Sequence, residues 1–599
     1  MFIASITGGV YAFSTYSGAL KKQYGGFTQS ELDTIGLSPY FIAWLSWSTG
    51  LFCDRAGPTA SVAAGVAIQT VAVLVSYLVS AELMPHALVP SRSVAIAWLC
   101  VSGSAMFMGT SFETAAAFST LVRRFPRQRG VVVGIAKGFV GLTGGVTTQL
   151  FAAFVMVPDD SAPTLRFILA GAIVSLVGGA LAIALLVCDG ERFRWSAPGV
   201  DATLGSSAAV RSAAVAALAE GAAVAPESGT TAVAADPQVI STAVPPSGGR
   251  FYFMYGVLAA MCVAVSAAAL AGKSMGREPR AALGGVIAAI WLSPLALLLP
   301  PLWGPCERCE LTARARRASD GEALKQPLLD LPRSNDECDG AALVAVEGGG
   351  GGGGGDSPRD RDREAEMEEE DLQKDLTLCS MLCTIECWLL FFSAGAIMGG
   401  GICITTNAAQ MCEAKGFAGA TPAVVTVFSV SQAAGRVLAG VLSEAAFVGV
   451  GRAWLPRPTF VLFSACIMGV AHALLLLPQL AALYLAMVVA GLAFGSIFPV
   501  LVVLVSELFG LRNHGSNYMF YDGTAAILGV FVLAKLLPQT VYTHAAHGAK
   551  TCIGLNCFFW THAAIAIVEV FAALLALALL IRTRKQFAQR RRMRLDGGH

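Results

Sequence analysis

What most limits the fold of this chain is a succession of apolar segments, each about 20 residues long, joined by short polar turns. In lipid a backbone must satisfy its own hydrogen bonds, so such segments become helices of about 20 residues spanning ~30 Å of hydrocarbon. Windows of that kind fall at 2–20, 34–53, 59–81, 94–120, 130–156 and 166–188, then at 251–272 and 282–302. A last group falls at 385–406, 421–443, 459–478, 482–506, 517–537 and 559–581. The count is fourteen, in the order six, two and six. Composition agrees, since only 14% of the 599 residues are charged, against roughly 25% in soluble domains. The expected fold class is an all-α polytopic membrane protein, with the lipid bilayer as its first partner.

Several classes drop out. A net charge of +1 gives no general attraction for nucleic acid. No Gly-x-x-x-x-Gly-Lys-Ser/Thr loop occurs, so direct nucleotide drive is not expected. Fifteen cysteines spread over a long apolar chain are not the dense framework of a small secreted scaffold. The chain starts inside its first apolar segment without a basic stretch, which reads as a short cytoplasmic end or a truncated start rather than a cleaved signal.

Basic residues in short loops set orientation. Arg123, Arg124, Arg127 and Arg129 follow the fourth span, and Arg582, Arg584, Lys585, Arg590, Arg591, Arg592 and Arg594 follow the last. Both clusters fall on one side, which is read as cytoplasmic, although Lys21, Lys22 and the stretch 272–280 fall on the other. The domains expected are a six-helix bundle over 1–188, a disordered linker over 189–250 and two extra helices over 251–302. There follow a disordered Gly-rich and acidic loop over 303–384, a second six-helix bundle over 385–582 and a basic tail over 583–599.

The two groups of six echo each other. The second span ends "GLFCDRAGP", with Gly50, Asp54, Arg55 and Gly57. The tenth ends "GRVLAGVLSE", with Gly435, Arg436, Gly440 and Glu444, so that each carries Gly-x-x-x-acid at its cytoplasmic end. "FPRQRG" (125–130) is matched loosely by "FGLRNHG" (509–515). Parallel repeats of six spans are a signature of one large transporter class.

The motif around Gly50 resembles the loop motif of the major facilitator superfamily, departing from it at Pro58 and Thr59, where basic residues are usual. More narrowly, "GGVYAFSTYSGALKKQYG" (8–25), "RRFPRQRGVVVGIAKGFVGLTGGVTTQLF" (123–151), "SELFGLRNHGSNY" (506–518) and "CIGLNC" (552–557) resemble the nodulin-like branch. The resemblance implies two six-helix bundles around a central cavity, working by alternating access. It also implies that first helices line the cavity, which brings in Tyr11 and Thr15 in the first bundle and Asn407 and Gln410 in the second. In the same way it implies a cytoplasmic gate in which Asp54 docks near Gly515–Tyr518. Glu444 would dock near Gly130–Val132 with Arg129 and Arg436 close by.

Charges inside the spans are expensive, so each is a functional candidate with a partner to be named. Lys137 lies ~12 Å along its helix from Arg129, and Glu113 lies ~15 Å before Arg123, at a rise of about 1.5 Å per residue. Equal depth in a hairpin predicts that Glu113 and Lys137 pair, and the small residues Gly134, Gly138, Gly141 and Gly144 around Lys137 favour close packing. Asp522 holds nearly the same place in the thirteenth span, and Glu569 and His472 lie near mid-membrane. Proton coupling is expected through Glu569 or Asp522, whereas a lone histidine such as His472 is more often a bonded packing residue. Tyr40, Trp44 and Trp47 form a stripe on the second span, and such stripes are more often packing or lipid-facing than part of a binding site.

Cys552 and Cys557, in the last outer loop, are a candidate disulfide, and Cys306 and Cys309 suit acylation beside the membrane. The spacing around "PCERC" and "CSMLC" is too loose for zinc, and no metal or other cofactor is expected. The function that follows is secondary transport of a small polar or organic-anion-like solute by a monomer with no enzymatic step. The alternative is a membrane sensor that binds its ligand in the same cavity and signals through the cytoplasmic loops.

Overall fold

The computed structural model describes residues 20, 23–125, 128–155, 162–190, 248–271, 276–298, 375–449, 454–525, 527, 529–546 and 552–596. Tyr11, Thr15, Cys306, Cys309 and nearly all of both predicted linkers lie outside them. Among the described residues, eleven helices are long and apolar enough to cross a membrane. The second and thirteenth predicted spans are present as interrupted helices, and all of the first but Leu20 lies outside the described residues.

The N-terminal bundle consists of α1 (Gln29–Ile42), α2 (Ser46–Ala56), α3 (Pro58–Ser80), α4 (Arg92–Arg124), α5 (Arg129–Phe154) and α6 (Ala162–Gly190). The interruption between α1 and α2 has a local cause. Pro39 sits inside α1 and has no amide hydrogen to offer the Ile35 carbonyl. The Ser38 hydroxyl donates to that carbonyl instead at 2.7 Å, and the chain tightens into a 3₁₀ turn at Ala43–Leu45 before α2 resumes. Thr28 caps α1 in a reciprocal box with Glu31. The Thr28 amide, aided by Arg92, holds the Glu31 carboxyl down to about 2.

Two extra helices follow, α7 (Gly248–Ala271) and α8 (Arg277–Leu292), and both pack on α5. A Cβ on Gly138 would lie 3.3 Å from Leu258, and one on Gly145 would lie 3.1 Å from Val265. The Phe139 and Trp291 rings meet at 5.6 Å.

The C-terminal bundle begins with the short α9 (Leu378–Leu382), then α10 (Ile385–Ala414), α11 (Thr421–Val448), α12 (Pro458–Leu475) and α13 (Leu480–Phe509). Next, α14 (His514–Met519) runs into wide π-helical turns at Phe520–Ala525 and Gly529–Leu536 before α15 (Leu537–Ala545). The last helix, α16 (Asn556–Asp596), carries the predicted basic tail as its continuation. The predicted loop boundary at 384 is corrected. Asp375 accepts bonds from the Leu511 and Arg512 amides at 2.6 and 3.1 Å, which fastens the end of that loop to the turn before α14.

By contacts the chain divides into two units. One, of residues 1–245, 253–293 and 375–599, holds both bundles. The other, of 246–252 and 294–374, has described residues only at 248–252 and 294–298.

The bundles meet through glycine. At Gly134 an added Cβ would stand 3.0 Å from the Arg436 carbonyl and 3.0 Å from Gly440 Cα. At Gly515 it would stand 2.7 Å from Asp54 Oδ1 and 2.8 Å from the Gly50 carbonyl. The interrupted segments also touch, since a Cβ on Gly523 would run into the Ala43 carbonyl and Ser46. At the far end, Cys552 and Cys557 form a disulfide, and Lys415 caps the carbonyls of Leu475 and Leu477 at 2.6 and 2.7 Å. Burial pushes the Lys415 ammonium down to about 8.

Such close backbone approach has no room for side chains. Gly440→Val should hold the bundles apart at this crossing without unfolding either. Hydrogen exchange at the Gly130–Val133 amides should rise about tenfold for each 1.4 kcal/mol of closure lost; exchange equal to that of the parent would contradict the packing described.

Candidate functional site: a polar seam between the bundles

The end of the molecule that carries the basic loop is closed by two carboxylates that cross the seam in opposite directions. Asp54, in the last turn of α2, accepts from the Gly515 amide at 2.9 Å, the Ser516 amide at 2.7 Å and the Ser516 hydroxyl at 2.9 Å. Arg123, at the end of α4, stands 3.5 Å from Asp54 and donates to the Leu511 and Arg512 carbonyls at 2.6 and 2.9 Å. In the other direction Glu444, near the end of α11, accepts from the Gly130 amide at 2.9 Å. Both acids use the free amides that open a helix of the opposite bundle, where the helix dipole also favours negative charge.

One expectation about the surroundings of Glu444 is corrected. Arg436 does not accompany it; its guanidinium turns inward, donates to the Lys137 carbonyl at 2.8 Å and lies 4.8 Å from the centre of the Phe498 ring. Gly141 leaves the space that this guanidinium fills. The cation on Glu444 is Arg457, which is fully buried and bonds Glu444 at 2.9 Å, Glu507 at 2.7 Å and the Ser443 hydroxyl at 3.2 Å. Arg129 donates to the Val122 carbonyl at 3.1 Å and feels both Glu444 and Glu507 through space. Arg55 is exposed, and Gly57 supplies the positive φ of +89° needed between α2 and α3.

Deeper in the seam lies Lys137, and the predicted Glu113 pair is also corrected. Lys137 Nζ bonds the Tyr518 hydroxyl at 2.6 Å and Asp522 at 3.4 Å, both on the opposite bundle, and sits 4.3 Å from the centre of the Phe118 ring. Glu113 points the other way, between α3 and α4, and is fully buried. There the Gln69 amide, oriented with its nitrogen toward the carboxylate, donates at 2.9 and 3.2 Å. Of the two carboxylates at the depth of Lys137, the one across the seam is its partner.

The other candidates fall elsewhere. Tyr40 packs its ring 6.1 Å from Phe107, Trp44 and Gln410 are exposed, and Trp47 is half-buried against the core. Asn407 donates to the Cys403 carbonyl at 2.9 Å. His472 and Glu569 are buried inside the C-terminal bundle, and His472 bonds His562 at 3.0 Å. The residues not foreseen are Arg457, Glu507, Tyr518 and His514, whose ring bridges Ser119 at 3.3 Å and the Val502 carbonyl at 3.0 Å. Tyr518 and His514 lie in the 506–518 stretch already singled out; Arg457 sits in a loop with no periodic signal.

Two helix bundles, carrying a repeated acid motif and meeting at paired acid-to-helix contacts, define the major facilitator fold of an integral multi-pass membrane protein. Comparison with known proteins agrees. Residues 1–200 match the family model described as Nodulin-like, and residues 370–589 match that described as NFD4, C-terminal domain. Residues 1–200 are thus similar to the nodulin-like family, and the fold is that of the major facilitator superfamily. A structure of the proton:xylose symporter XylE bound to 6-bromo-6-deoxy-D-glucose aligns with a TM-score of 0.50 at 10% identity, over 96% of this chain and 93% of that one. A double-tryptophan mutant of XylE aligns with the same score and identity, over 96% and 94%. No curated protein matches the chain in sequence.

Removing one member of a buried ion pair strands the other, at about 3–5 kcal/mol, whereas removing both costs far less. Lys137→Ala should therefore lower thermal stability more than Lys137→Ala combined with Asp522→Ala. Combining it with Glu113→Ala should give no such rescue. Melting of the three variants in detergent decides between the partners.

Proposed function

We propose that this protein is a secondary active transporter that moves a small polar or organic-anion-like solute across a membrane by alternating access. The observation that supports this most is the reciprocity of the seam, with Asp54 on the start of α14 and Glu444 on the start of α5. Contacts of a carboxylate with helix-end amides are worth about 0.3–1 kcal/mol each, up to ~2 when partly buried. A gate made of a few such bonds closes firmly and still opens on the timescale of turnover. Neither acid loses its hydration for good, because water replaces the amides when the bundles part.

Lys137 gives the reading of the solute. Its ion pair spans the seam rather than being sealed within one bundle, and the Asp522 side chain is 21% exposed. An anionic solute entering between the bundles can replace Asp522 on Lys137, with Tyr518 as a second donor. Partner exchange of this kind ties solute binding to the contacts that separate the two states. The anion-like character rests on Lys137, not on the sugar in the XylE structure.

The sensor reading has one observation in its favour. The Leu376 carbonyl accepts from the Asn513 and Asn517 amides at 3.2 and 3.0 Å, so the end of the long loop touches the helix that the gate moves. Flux separates the two readings. A transporter gives saturable uptake in proteoliposomes screened with labelled organic acids and neutral solutes; a sensor binds and gives none.

Gate variants supply the mechanistic test. Asp54→Asn and Glu444→Gln weaken the closed seam by up to about 2 kcal/mol, roughly a 30-fold shift between states. A cysteine placed at Ser516 should then react faster with a polar thiol reagent added on the basic-loop side. Equal rates in the parent and both variants would remove the gate.

A further inference from the structure

A second polar cluster lies inside the C-terminal bundle, apart from the seam. Glu569 on α16 is fully buried, and neither of its carboxylate oxygens has a hydrogen-bond partner among the described residues. An ionised carboxylate so placed, with no cation or donor, is incompatible with a marginally stable fold. Beside it are His472 on α12 and His562 on α16, both fully buried.

The order of protons in this cluster can be worked out from its far end. His562 Nε2 stands 3.1 Å from Met411 Sδ, and a thioether only accepts, so that nitrogen carries hydrogen. In a neutral ring His562 Nδ1 is then an acceptor, and His472 Nδ1, 3.0 Å away, must donate to it. His472 Nε2 is left near the Gly400 backbone with no donor directed at it among the described residues.

A Cβ on Gly400 would lie 3.0 Å from His472 Nε2 and 3.0 Å from Glu569 Oε1. The two atoms therefore lie beside that glycine within about 6 Å of each other, a span that a direct bond or one bridging water can close. Only a carboxyl that holds its proton supplies the donor this arrangement lacks.

We propose that Glu569, His472 and His562 form a proton-binding site inside the C-terminal bundle, which holds one dissociable proton and hands it along the imidazole pair toward the disulfide end. The step balances. A proton leaving Glu569 bonds to His472 Nε2 and His472 Nδ1 gives its proton to His562 Nδ1, which leaves Glu569 as the carboxylate and the proton on His562 as an imidazolium. Direction follows from the helix. His562 lies seven residues before Glu569 on α16, about 10 Å nearer the Cys552–Cys557 loop at a rise of ~1.5 Å per residue.

Other ionisable groups on the elements around the site include Cys403, Cys412 and Glu413 on α10, Lys415 just past its end, Cys466 on α12 and Lys535 on the π-helical stretch. Lys415 is held by the Leu475 and Leu477 carbonyls. A metal ion is disfavoured because the two Nδ1 atoms are committed to each other, and no group of three ligands with metal-binding placement occurs among the described residues. That the proton drives solute movement rests on the transporter reading; the proton site itself does not.

Infrared spectroscopy on the full-length protein in lipid tests the site without any solute. At neutral pH a carboxylic-acid carbonyl band is expected in the parent, lost in Glu569→Gln. In Gly400→Ala, where a methyl stands beside both atoms, the same band should move to higher frequency. No Glu569-dependent band, or a band in Gly400→Ala identical to that of the parent, overturns the proposal. So does its loss on adding sodium or zinc at constant pH, which would make this a metal-cation site. If the band behaves as expected and no solute is transported, the transporter reading fails and the proton site stands.

Discussion

Two carboxylates that borrow the free amides of the facing bundle hold the rest of this architecture in register. Asp54 reaches Gly515 and Ser516, and Glu444 reaches Gly130, so each bundle lends an acid and offers a helix start. The contact requires the backbones to approach within van der Waals range, which the glycines at 50, 130, 134, 440 and 515 permit. Glycine makes the approach possible and the acids make it specific. Around them Arg123 and Arg457 neutralise the acids at an end of the protein where water is nearly excluded.

Lys137 depends on the same approach. Its partners Tyr518 and Asp522 come from the opposite bundle, so the charge is satisfied only while the bundles are together at that depth. Parting them exposes an ammonium and a carboxylate to whatever occupies the space. The wide π-helical turns around Asp522 and the Pro39 interruption facing them lie at this level, and irregular turns of this kind are common where a helix serves function rather than support. By contrast, Glu113 is locked to Gln69 within one bundle and fixes α3 on α4.

The spans were legible because a bilayer imposes a length on every segment. The gate acids were legible because a repeated Gly-x-x-x-acid places them twice. Depth could be counted from the basic loops, but the direction in which a side chain leaves its helix could not. Glu113 and Asp522 both matched Lys137 in depth, and only packing shows that Glu113 faces α3. The repeat places Arg436 near Glu444, yet the absent side chain of Gly141 opens a place for it on α5. Arg457 lies in a connecting loop, where no periodicity marks burial. Pro39 was visible within the second span, and the break that follows it is what its missing amide entails. The His472–His562 contact joins residues 90 positions apart, which no local pattern encodes.

The central claim is that the closed seam is one of two states, held by Asp54 and Glu444 together. Spin labels at Arg55 and Arg512, exposed residues on opposite sides of the seam, report it directly through double electron–electron resonance in lipid. In the parent a short distance should dominate, and in the variant combining Asp54→Asn with Glu444→Gln a longer distance should take over as a second, resolved population. A single short distance, unchanged when both acids are neutralised, would contradict the account.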